Sequence, residues 1–309
     1  MLKYHSVSAL MGFVLLSATS AHAFTNVTAC GQQLAVPGQY VLTTDLDCTT
    51  TLANGIEITA SDVTFELAGH TIASSDCDAN RAISGIVIDS GVSGVAVEGG
   101  TVEGFNDGMV VYGLNSHVSA MTVTRACIFG IAISGQNNQV DTSEVTLAGL
   151  DGIAIGAATG TLIRYNDISD NARLGVDISD FSSNSSVEAN IINRNGIADH
   201  EQGGVAIFNG SHNVIANNTL NNNFNGVEVE SPNNTIRSNL VRGSVEDGIF
   251  ITSAGTPSTV TLNLVLGSHF VDMSDDSVTC GGNSWKKNRF STDLAGGVAD
   301  GGPAAGCIR

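Results

Sequence analysis

The sequence predicts an all-β chain wound as a right-handed parallel β-helix solenoid of about ten coils with disulfide-stapled terminal caps. Three observations carry that prediction: a glycine-led repeat, an asparagine that returns at one place within it, and a composition rich in turn formers. The chain has 309 residues with 36 Gly, only 4 Pro and 14% charged residues. Such a profile suits short strands and tight turns and has no helical signature.

Strand-like fragments of the form Gly-apolar-x-apolar begin at Gly55, Gly85, Gly108, Gly130, Gly152, Gly175, Gly204, Gly226 and Gly248, with steps of 30, 23, 22, 22, 23, 29, 22 and 22 residues. A second apolar pair follows each fragment as apolar-x-x-Asn-x-apolar, and it places Asn166, Asn190, Asn218, Asn239 and Asn263 at one coil position. Stacked there, each amide would satisfy backbone groups exposed at a bend. Strand side chains alternate with a period of two, so the Ile and Val of each fragment point inward. A leucine-rich repeat has a similar period, but its leucine scaffold and its helix are missing here.

Residues 1–23 read as a signal peptide: Lys3 and His5, an apolar run from Ala9 to Leu16, then Ala21-His22-Ala23 as the cleavage signal. The apolar core is too short for a bilayer span, which takes roughly 20 residues, and no later segment is apolar enough, so no membrane insertion is expected. Residues 24–53 are expected as an N-terminal cap, 54–270 as the parallel β-helix, and 271–309 as a C-terminal cap. The product is expected to be secreted or periplasmic. Six cysteines, at 30, 48, 77, 127, 280 and 307, fit disulfides in such a compartment. Position suggests Cys30 with Cys48, Cys280 with Cys307, and Cys77 with Cys127. A formal charge of −18 excludes nucleic acid, whose phosphates need Lys and Arg, and is compatible with Ca²⁺ or with a solvated acidic surface.

From Asn54 to about Phe270 the chain resembles the right-handed parallel β-helix repeat proteins, among them pectate lyases, alginate lyases and epimerases, and NosD-like periplasmic proteins. The resemblance implies that a sugar chain lies along the stacked first strands. The outward positions two and four after each Gly then become the candidate groove, and carboxylates and aromatics concentrate there from coil six to coil nine. Tyr112, Arg173, Phe208, Glu228, Glu230 and Phe250 are the expected substrate contacts, since aromatic faces with carboxylates suit sugar rings.

Alginate epimerases carry Gly-Phe-Asp-Pro-His-Asp on this strand, and Gly175-Val176-Asp177-Ile178-Ser179-Asp180 stands in the same frame. Asp177 and Asp180 match; the Pro and the basic His are replaced by Ile178 and Ser179. The long repeats add Asp76 to Arg81 and Ile197 to Gln202, and in the second His200 sits between Asp199 and Glu201. A His among carboxylates suits proton transfer or metal ligation.

A lyase or C5-epimerase must neutralise a uronate carboxylate, remove the C5 proton and stabilise the anion. Asp177, Asp180, His200 and Arg194 are the expected catalytic set, with Arg173 or Arg194 neutralising and His200 or Tyr165 as base. Asp177, Asp180 and Glu228 could instead hold Ca²⁺. Glycoside hydrolysis would need a carboxylate pair, and Asp177 and Glu228 lie about 10 Å apart by strand spacing. The expected function is therefore a secreted protein acting on an acidic polysaccharide; the alternative is a non-catalytic envelope or surface protein that binds glycan or a protein partner.

Overall fold

The computed structural model describes residues 23–51, 53–75, 83–197, 202–302 and 305–309. Three parallel ladders of short strands wind around one apolar core. The first ladder contains the Gly-led strands and extends past them at both ends, from Gln32–Leu34 through Asp107–Val111, Leu174–Ser179, Asn225–Val229 and Val271–Asp275 to Asp293–Ala295. It is 13-stranded, and only its last pairing, Leu294 with Ala299, is antiparallel. The second and third ladders are joined wherever one strand spans both, as Ala96–Glu103 and His117–Thr124 do.

The coils continue beyond the limits expected from the repeats. Gln32–Leu34 pairs with Ile56–Ile58, and Tyr40 and Val41 pair with Phe65 and Glu66, so the segment expected as an N-terminal cap is itself wound into the helix. At the other end Val271–Asp275 and Ser284–Lys286 add further rungs. This makes about eleven turns rather than ten. Neither end segment carries the Gly-led fragment, which is why repeat spacing alone stopped at Asn54 and Phe270. Cys30–Cys48 and Cys280–Cys307 are both disulfides, as expected. Cys127 is disulfide-bonded as well, while Cys77 lies outside the described residues, as does the expected signal peptide up to residue 22.

Two features explain why this sequence closes into coils. The repeat glycines sit where the chain enters the first ladder and neighbouring coils touch through their backbones. A Cβ on Gly130 would come within 2.5 Å of the Gly152 carbonyl oxygen, and one on Gly226 within 2.3 Å of that of Gly248. No other residue fits without displacing a strand.

The asparagines form the expected column. Each Nδ2 donates to the next Oδ1, from Asn166 to Asn190 at 3.0 Å, on through Asn218 and Asn239, and from Asn263 to Asn288 at 3.1 Å. The same amide donates to a carbonyl of the preceding coil, as Asn190 does to Ile163 at 2.9 Å, and accepts a backbone N–H, as Asn218 does from Asn190. Every polar group of the bend is thereby satisfied away from water. A second column, Asn171, Asn195 and Asn223, does the same at the corner after the third ladder. Its signal is five residues downstream of the first column.

Candidate active site

The first ladder aligns its outward residues in a column through Val110, Ala132, Ala154, Asp177, Ala206, Glu228 and Phe250. The period-two alternation therefore assigned this face correctly. The cleft on it, about 290 Å³, lies over coils that start at Gly108, Gly130, Gly152 and Gly175, earlier than the coils six to nine expected from side-chain types. Small residues make its floor, Ala132, Ala154 and Gly156, while Tyr112 and Phe129 stand at one end and Asp177, Ser179 and Asp180 at the other. The sequence-based criterion favoured large polar side chains. A cleft is made where side chains are small, and the alanines carried that information.

Asp177 is 7% exposed. Ser179 Oγ donates to its Oδ2 at 3.1 Å, and an Arg173 guanidinium nitrogen lies 3.6 Å from the same oxygen. Its Oδ1 is buried without a hydrogen-bond partner among the described residues. Burial, and then the negative charge of Asp151, pushes its pKa up to about 6, with Arg173 opposing. Arg173 is itself held by Asp151, which is fully buried: Nε donates to Oδ1 at 2.8 Å, and a terminal nitrogen pairs with Oδ2. The Leu174 N–H adds a bond to Asp151 at 3.1 Å. The unit is thus a buried carboxylate, an arginine fixed by it, and a second carboxyl beyond, facing the cleft. Asp180 leans across the neighbouring coil, where a Cβ on Gly156 would stand 3.2 Å from its Oδ2.

Asp151 and Asp107, which also lines the cleft, were not singled out from the sequence. Their signal was present: Asp107, Asp151 and Asp247 each stand immediately before a repeat Gly. Only positions after the Gly had been read as outward.

Other expected site residues lie elsewhere. Glu228 and Asp247 form a separate acidic region on later coils, with Glu230, Glu246 and Asp276. Asn225 Nδ2 donates to Glu228 at 3.2 Å, and Asn225 Oδ1 accepts the Asp247 N–H at 3.0 Å. Burial and neighbouring carboxylates push both Glu228 and Asp247 up to about 7. Phe250 stands beside Glu228 on the next coil, and Phe208 follows the strand between Glu228 and Asp177. Arg194 is at the corner after the third ladder, exposed and paired with Asp170 at 2.7 Å, away from the cleft. Tyr165 is at the corner between the second and third ladders, over Arg164. His200 lies outside the described residues.

The proposed Ca²⁺ ligands are not gathered. Ala206 separates Asp177 from Glu228 in the column. Among the described residues the one group of three potential ligand atoms within 4.8 Å is Cys280, Asp300 and Cys307, whose cysteines are joined to each other. No helix among the described residues is long and apolar enough to cross a membrane.

Several solved structures share the fold at low identity. A Dettilon tailspike protein superposes with a TM-score of 0.56 at 13% identity, over 87% of this chain and 54% of its own length, so this chain spans about half of that protein. The A-module of AlgE4, a mannuronan C-5 epimerase of Azotobacter vinelandii, gives 0.55 at 12% identity, over 89% of this chain and 86% of that one. The periplasmic alginate epimerase AlgG gives 0.56 at 14% identity, over 84% and 79%. No curated protein matches by sequence. The model of the right-handed beta helix region matches residues 84–198 and 194–290, more than half of the chain, and the chain belongs to that family.

Proposed function

We propose that this chain is a carbohydrate-active protein that lays a glycan across its first ladder and moves a proton at Asp177. The observation that carries the reading is the Asp151–Arg173–Asp177 unit, whose Asp177 lines one end of a cleft with a floor of small residues. A carboxyl with a pKa near 6 is ionised at neutral pH yet basic enough to accept a proton, which is the compromise a general base needs. Low exposure strengthens its interactions with bound charge. The fold's likeness to two alginate epimerases supports carbohydrate as the ligand class.

The finer reading is a lyase or C5-epimerase acting on an acidic, uronate polysaccharide. Arg173 would neutralise the uronate carboxylate and lower the acidity barrier at C5. Asp177 would take the C5 proton, leaving the electron pair delocalised into the neutralised carboxylate. Elimination then breaks the C4–O bond, with the leaving oxygen taking a proton from solvent. Epimerisation instead returns a proton to the opposite face of C5.

The test is incubation with mannuronan, alginate and pectate, followed by ultraviolet absorbance for unsaturated uronate and by proton NMR for C5 inversion. The reading expects one of these signals, lost in Asp177→Asn. Glycan binding with neither signal would leave the non-catalytic reading.

A further inference from the structure

We infer that Phe181 is a sugar-stacking residue, held out at the acidic end of the cleft by a one-residue insertion that forces it into a left-handed turn. The inference rests on the glycan reading above and adds a specificity-determining contact to it. Ser179 and Asp180 line the cleft, and Phe181 follows at once with 83% of its surface exposed, the most exposed large apolar side chain among the described residues.

The backbone there is unusual. Asp180 has φ 50° and Phe181 φ 64°, and the Ser182 N–H donates to the Ser179 carbonyl at 3.0 Å. Two consecutive left-handed residues closed by that bond are the signature of a type I′ turn, whose ordinary occupants are Asn and Gly. A bulky aromatic with positive φ is an outlier that persists only where the surroundings impose it.

The surroundings do impose it. Ser182 is fully buried and pinned between coils: its Oγ donates to the Ile155 carbonyl at 3.0 Å and accepts the Ala158 N–H at 3.1 Å. Those bonds align Ser182 with Ala158 of the preceding coil. Ala158 follows its repeat glycine, Gly152, by six positions, whereas Ser182 follows Gly175 by seven. The coil starting at Gly175 therefore carries one residue more than the space between its pins, and the excess is extruded. The coil starting at Gly85 has the same longer corner, since Val92 follows by seven, and there the extruded position is Gly91 at φ 83°. A glycine meets a positive φ at that position without strain. An aromatic in its place strains the backbone and exposes an apolar ring, and nothing in the packing of the coil requires either.

A pyranose ring offers a C–H face that covers an aromatic face while its hydroxyls reach adjacent carboxylates. Phe181 beside Asp180 supplies that pair at the end of the cleft opposite Tyr112, so a sugar chain lying in the cleft would run from one aromatic to the other.

The experiment compares the wild-type chain with Phe181→Gly and Phe181→Trp, measuring Tm and the affinity for mannuronan oligosaccharides. Phe181→Gly is expected to raise Tm, because the strain is relieved, while weakening oligosaccharide binding about tenfold. A residue that mattered only for packing would give the reverse, a lower Tm with unchanged affinity, and that result overturns the inference. Phe181→Trp is expected to bind at least as tightly as wild type and to shift its emission on titration, against the steady background of the buried Trp285. Unshifted emission with intact binding overturns the stacking contact alone. Failure of the wild-type chain to bind any oligosaccharide overturns the glycan reading and this inference with it. Light scattering closes the remaining route: a wild-type dimer that Phe181→Gly dissociates would assign the ring to a second copy of the chain and overturn its role as a sugar platform.

Discussion

Asp177 and Glu228 occupy one outward column of the first ladder, separated by Ala206, and are buried to nearly the same degree. Their surroundings differ in one respect. Asp177 has Arg173 and the Ser179 hydroxyl beside it, whereas Glu228 and its neighbour Asp247 are surrounded by the further carboxylates Glu230, Glu246 and Asp276. Burial alone raises a carboxyl pKa; a cation limits the rise and like charges extend it. The earlier coils accordingly hold a carboxyl raised to about 6, and the later coils hold a pair raised further, to about 7. Two regions of the same face, built from the same repeat, thereby differ in how strongly the proton is held, because of what stands next to the carboxyl.

The contrast can be broken most severely at Asp177. Asp177→Asn keeps the shape and removes the base, so turnover of a uronate polymer should fall about 10²- to 10⁴-fold with little change in Tm; equal loss of both would reduce Asp177 to a structural group. Arg173→Met leaves Asp151 buried without its cation. Urea denaturation should then show a loss of about 3–5 kcal/mol, the range for breaking a buried pair by removing one partner.

The later coils are sharpened by pH. Glu228 and Asp247 have folded-state pKa values near 7, above the unfolded range of about 4, so the folded chain binds more protons between those limits. Stability contributed by protonating them is fully present below about pH 4 and is lost as pH rises through about 7. Glu228→Gln with Asp247→Asn should flatten that decline and raise Tm by a few degrees at pH 8, while doing nothing at pH 4. A parallel offset at both pH values would show that charge is not the cause. The smallest effect is expected from Arg194→Ala, whose pair with Asp170 is solvent-exposed and worth less than about 1 kcal/mol. Unchanged activity in that variant would confirm its distance from the cleft.

Legibility in the sequence divided along physical lines. Repeat spacing and the asparagine column depend on local, periodic requirements, a backbone contact that excludes Cβ and a bend that needs an amide, so both could be read residue by residue. The outward column was legible for the same reason, since alternation is a property of every strand. The position of the cleft was not, because it depends on which outward side chains are small across four coils. Asp151 organises Arg173 yet escapes the alternation, because it precedes the strand and is fully buried. Arg194 and Tyr165 were joined to the site on proximity in sequence, yet a coil of this fold carries residues a few positions apart to different corners.

The two asparagine columns stand five residues apart wherever both are present: Asn166 and Asn171, Asn190 and Asn195, Asn218 and Asn223. The strand between them is therefore fixed in length, and a single insertion there would put one amide out of reach of its neighbours. A further polar column, Ser185, Asn213, Asn234 and Ser258, stands five residues before the first and gauges the second ladder in the same way. Repeat steps of 22 to 30 residues are absorbed after the second column and before the next glycine, and the extra residue of the coil starting at Gly175 falls at the exit of the first ladder. One flank of the solenoid thus acts as a fixed spine, and the opposite flank is where the chain can gain or lose residues without unwinding. Loop grafts intended to widen or redirect the cleft belong at those exits and entries, and any graft placed between paired asparagines should cost the fold itself.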